Sequence, residues 1–173
     1  MNSILKYITL GAIIVICQIM LGEYVNIWAM LYIAIFPQFI ILLPPSINRS
    51  LYMVIAFLFG LSIDLFSDGV LGLNAAALVA MAYTRPIVLR LTLPRASFDN
   101  YENVPLIPRT VEIPRLLLIN AIMLAVFFTV YIMVDSAVSF SLGYTILKLL
   151  LCVTANTILA IICNIALLDK ILK

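Results

Sequence analysis

Six apolar runs, at about 4–22, 27–43, 49–66, 71–92, 115–134 and 143–168, take up most of this sequence and leave room for little else. A helix that crosses the hydrocarbon core of a bilayer needs about 20 predominantly apolar residues. Of the 173 residues, 65% are hydrophobic and 10% are charged. The mean hydropathy is +1.23. A soluble domain is about half apolar and about a quarter charged. No core of this size hides the excess, so the surface itself must be apolar and face lipid. The sequence predicts an all-α integral membrane protein, a single transmembrane domain over 1–173 with six spans.

Connections between the runs are short except at 94–114, where four prolines and five charges exclude a lipid-exposed helix. This connector either lies along the headgroups, with Leu106 and Ile107 dipping in, or touches cytoplasmic filaments. Lys6 precedes the stretch Ile8–Leu21, but no small-x-small cleavage pattern follows, so the first run is expected to remain as a span.

With the amino end in the cytoplasm, Lys6, Arg49, Arg85, Arg90, Arg95, Arg109, Arg115, Lys170 and Lys173 fall on the cytoplasmic side. Nine of the ten cations on one side puts both termini in the cytoplasm. The opposite side carries Glu23, Asp68 and Asp135 on loops too short for a folded domain.

Several chemistries are disfavoured by composition. There is no histidine, so the usual general base, the usual nucleophile pairings and the commonest metal ligand are missing. Cys17, Cys152 and Cys163 sit inside apolar runs and lack zinc spacing. They read as small buried hydrophobes. A net charge of +2 offers no basic field for nucleic acid. No catalytic site, cofactor site or metal site is expected.

One stretch, GLSIDLFSDGVLGLNAA at 60–76, stands out because it sets Asp64 inside an apolar run. Ala56 and Gly60 precede Asp64 at steps of four and share its helix face, where a neighbouring helix can approach closely. Asp64 is therefore expected to point into the bundle, and a carboxylate there requires a partner. Lys148, the cation outside the charge rule, is the expected ion-pair partner, with Asp135 competing for the same lysine. The sixth run carries Thr145, Lys148, Cys152, Asn156, Ala160 and Asn164 on one face, which should turn inward. Ser67, Asp68 and Gly69 form the turn, and Gly72 and Asn74 open the fourth run. Ala76, Ala80 and Thr84 give that run a small face of its own. Further along it, Arg85 and Arg90 flank Pro86. They are read either as snorkelling to the headgroups or as meeting an anionic lipid or a partner's carboxylate.

Here the sequence resembles a known family. The run GLSIDLFSDGVLGLNAAALVAMAYTRPIVLRL, preceded by Leu43-Pro44-Pro45, is similar to the rod-shape-determining protein MreD family. Gly60, Asp64, Phe66, Ser67, Leu71, Gly72 and Ala75 match its pattern, with Arg85-Pro86 at the end of the next span. The proline-rich 94–114 resembles the Bacteroidetes form. The resemblance implies a non-enzymatic scaffold of the bacterial cytoplasmic membrane. It would bind an MreC-like single-span protein and so link MreB filaments to the transpeptidase and glycosyltransferase of cell elongation. It also implies a fold similar to the substrate-capture subunits of energy-coupling-factor vitamin transporters. Such a capture subunit is the alternative function, although the first run lacks the Ala-x-x-x-Ala face those subunits use for docking. An intramembrane enzyme would want clustered carboxylates, and a proton- or ion-driven carrier a chain of them; Asp64 is the one acid within a span.

Overall fold

The computed structural model describes residues 3–24, 31–44, 47–66, 70–93, 106, 111–135 and 142–164. They form an all-helical bundle of six helices: α1 (Ser3–Tyr24), α2 (Pro37–Leu42), α3 (Arg49–Phe66), α4 (Leu73–Thr92), α5 (Ile113–Asp135) and α6 (Leu142–Cys163). All but α2 are long and apolar enough to cross a membrane. Their outward faces are apolar too: Ile8, Leu58, Ile87, Leu117 and Ile158 are among the exposed side chains. A lipid-facing helix needs no polar side.

The expected second span, 27–43, is corrected. Leu31–Ile35 are not helical, and the helix begins at Pro37 after a single turn residue, Phe36. Pro37 is the cause. Inside a continuous helix it would remove a donor and drive its ring against the Ile33 carbonyl four residues back. At the first helical position both problems vanish. The chain therefore reaches Pro37 through non-helical backbone over 31–35, and Phe36 alone turns into the helical region.

This broken segment is the centre of the bundle. Every residue from Phe36 to Leu43 is buried. It runs antiparallel to α1, since Gln18 bonds Ile33 and Ile35 while Gly11 lies against Phe39. Phe39 packs on Phe59 of α3 at 4.5 Å between ring centroids. Phe36 meets Phe127 of α5 edge-on, and Tyr32 stacks on Tyr131 at 4.8 Å. α3 and α4 form an antiparallel hairpin: Gly60 faces Ala75 at one end, and Arg49 bonds the Tyr83 carbonyl toward the other. The expected small face of α4 is rotated. Ala76 is exposed and Ala80 and Thr84 are half-buried, whereas Ala75, Ala77, Leu78, Met81 and Ala82 are buried.

Candidate functional site

The hairpin end holds a buried carboxylate with a complete set of donors. Asp64 is 2% exposed. Its Oδ2 accepts the backbone N–H of Gly72 at 3.0 Å and of Ala75 at 3.1 Å. Its Oδ1 accepts the backbone N–H of Asn74 at 3.0 Å and the Asn74 Nδ2–H at 2.8 Å. The first amides of a helix have no partner within it. Here Leu73 donates to the Val70 carbonyl at 3.1 Å, and Asp64 takes the three amides on either side. An acid on α3 thus caps α4, and the positive end of the α4 dipole meets a negative charge.

Two glycines permit this. A Cβ on Gly60 would lie 2.4 Å from the Ala75 Cα and 2.7 Å from its nitrogen. The α4 terminus rests directly on the α3 backbone one turn before Asp64. Gly72, at φ 91°, is left-handed, which aims its N–H back at the carboxylate. Ala56, one turn before Gly60, is fully buried on the same face.

The expected Asp64–Lys148 pair is overturned. Lys148 Nζ bonds Asp135 Oδ2 at 3.1 Å, the competing partner named above. Asp64 has no coordination left for a cation, because four N–H groups already fill both oxygens. The face Ala56–Gly60–Asp64 is also closed by α4 and so is no surface for another protein. Phe66 ends α3 with an exposed ring, and Ser67 and Asp68 lie outside the described residues.

A second polar cluster supports the broken segment. Gln18 of α1 donates its Nε2–H to the Ile33 carbonyl at 3.1 Å and accepts the Ile35 N–H on Oε1 at 2.8 Å. Asn156 of α6 does the same from the other flank. Its Nδ2–H goes to the Tyr32 carbonyl at 2.8 Å, and its Oδ1 accepts the Ala34 N–H at 2.7 Å. Each carboxamide bonds the carbonyl of one residue and the amide two further on, as a neighbouring strand would. The Ile33 carbonyl, which Pro37 would otherwise orphan, is among those satisfied. Cys152 Sγ receives the Tyr32 N–H at 3.4 Å. Irregular backbone at membrane depth persists where protein groups complete it.

The inward stripe of α6 is therefore real at Cys152, Asn156, Ala160 and Asn164, all buried, while Thr145 and Lys148 are half-buried. Gln18, Gln38 and Asn120 were not legible as site residues. Gln38 donates to Asn120 Oδ1 at 2.9 Å between α2 and α5, and Asn120 donates to the Leu116 carbonyl. Their signal is a lone carboxamide in an apolar run, which in lipid calls for a partner.

The snorkelling reading fails for Arg85. Arg85 is 4% exposed, bonds the Ile41 carbonyl at 3.2 Å and the Leu43 carbonyl, and stands over the Tyr52 ring at 4.6 Å. Arg90 is exposed. α4 stays helical through Pro86, which is half-buried. Comparison of the chain with protein-family models, with curated proteins and with solved structures found no match.

Proposed function

We propose that this chain is a multi-pass scaffold of the bacterial cytoplasmic membrane. It would hold an MreC-like single-span partner and, through it, couple MreB filaments to the synthases of cell elongation. The observation that carries the reading is that four of the seven matching residues act together. Gly60, Asp64, Gly72 and Ala75 form one contact in which a close backbone approach and a buried carboxylate fix the α3–α4 hairpin. A motif of that kind builds a rigid platform, and a scaffold needs one.

Six crossings with cytoplasmic termini fit the same reading. The five residues 31–35, at about 3.3 Å each, and the seven from Phe36 through α2, at about 1.5 Å each, reach about 27 Å together. That is close to the roughly 30 Å of a bilayer core. Tyr32 lies beside Asn74 and Asp64, whereas Ile41 and Leu43 lie at Arg85. The segment thus travels from one end of the hairpin toward the other. The sides of α1 and α6, the least covered by the rest of the chain, are left for a partner helix.

Purification from native membranes in mild detergent, with partners identified by mass spectrometry, tests this. A single-span protein with a large extracytoplasmic coiled coil, together with cell-wall synthases, is expected. Recovery of ATPase subunits with a coupling membrane protein would replace the scaffold by the vitamin-capture reading.

A further inference from the structure

At the end of the bundle opposite Asp64, two cations share one small cavity. It has a volume of about 80 Å³, and Arg49, Tyr52, Arg85 and Pro86 line it together with apolar side chains. Arg85 spends its NH2 group on two backbone carbonyls, yet its Nε is buried without a hydrogen-bond partner. Arg49 donates to the Tyr83 carbonyl at 3.3 Å and lies over the Tyr83 ring at 4.1 Å. Among the described residues no carboxylate pairs with either arginine; Glu112 pairs with Arg115 and Asp135 with Lys148. Arg49 is also the first residue of α3, where the helix dipole is itself positive and disfavours a cation.

Three positive features converge, and one of them is a buried guanidinium with an unused donor. An uncompensated charge in that setting is costly, and charge-assisted bonds to phosphate are what guanidinium groups form best. The cavity has room for several non-hydrogen atoms, and its Arg49 edge is exposed. Beside that edge the exposed Tyr83 ring, on which Arg49 rests, continues toward the bilayer interior in the half-buried Ala80 and the exposed Ala76 at steps of three and four along α4.

We propose that the Arg49–Arg85 cavity binds the headgroup phosphate of an anionic membrane lipid, with its acyl chains running from Tyr83 past Ala80 and Ala76 into the bilayer. The site is independent of the scaffold reading. The apolar stripe favours a lipid over free phosphate, because it gives the hydrocarbon a surface joined to the anion site.

The test is native mass spectrometry of the purified full chain in neutral detergent. It is titrated with dioleoyl-phosphatidylglycerol, with dioleoyl-phosphatidylcholine and with inorganic phosphate. Phosphatidylglycerol is expected to bind about tenfold tighter than phosphatidylcholine, and Arg49→Gln should erase that preference while Arg90→Gln keeps it. Arg49 is exposed and Arg49→Gln removes no core contact, so it carries the test even if Arg85→Gln fails to fold. Equal binding of the two lipids, or a preference that survives Arg49→Gln, would overturn the proposal. Displacement of phosphatidylglycerol by inorganic phosphate would overturn its lipid half and assign the cavity to a soluble phosphate.

Discussion

Asp64 shows how one atom's chemistry decides a residue. Both of its oxygens accept, and each accepts two N–H groups. In Asp64→Asn one oxygen becomes an NH2 that faces two donors whichever way the amide is turned. We expect Asp64→Asn to lower stability by at least about 3 kcal/mol, since hydrogen bonds to a buried charge are lost and their donors orphaned. Lys148→Gln should cost no more than about 1 kcal/mol, because the Asp135 partner is well exposed. Unfolding of the purified variants in detergent, followed by circular dichroism, separates the two. Comparable losses would mean that the Asp64 cap contributes no more than the exposed Lys148–Asp135 pair. That Asp64 points inward and needs a partner is legible from its place in an apolar run beside Ala56 and Gly60. The partner's identity is not. Side-chain charges are visible in a sequence, whereas the backbone amides that open a helix become donors only once the fold brings them close.

The same distinction separates what can be read of the helices. Five of them follow from run length alone, because lipid demands continuous apolar helix. The second run satisfies that demand in composition but contains Pro37, and geometry overrides hydropathy there. Its non-helical half depends on carboxamides some 15 and 122 positions away, which no local pattern announces. Replacing Asn156 by Leu should free the Ala34 amide and the Tyr32 carbonyl. Stability is expected to drop by about 1–3 kcal/mol, with faster hydrogen exchange over 31–36 read by mass spectrometry. Unchanged exchange there would mean that the bracket does not hold the segment. The α3–α4 contact makes a sharper demand. Gly60→Ala puts a methyl 2.4 Å from the Ala75 Cα, and backbone cannot yield as a side chain does. The α4 terminus must move off Asp64, at a cost of about 3 kcal/mol or more in the same unfolding measurement. Gly22→Ala, whose added methyl meets nothing within 4 Å, should be neutral to within about 1 kcal/mol.

At the scale of the molecule, the bundle is organised around its least regular element, and three of its polar groupings stand at distinct levels. A carboxylate closes the hairpin end, two carboxamides bracket the centre, and two arginines line the far end. If the broken segment crosses the membrane, Gly22 and Asn48 lie on opposite sides. In a cysteine-free background, Gly22→Cys should react with an impermeant maleimide on intact spheroplasts, and Asn48→Cys only after lysis. Labelling of both on intact spheroplasts would contradict the proposed crossing number. The Asp64 cap also bears on how such a chain is made. Its donors lie eight to eleven positions further along the sequence, in the helix that follows. While α3 is being synthesised, none of them exists, and an apolar segment holding an unmatched carboxylate is reluctant to leave the translocon for lipid. α3 is thereby expected to enter the bilayer together with the first turn of α4, with Asp64 setting the order of insertion.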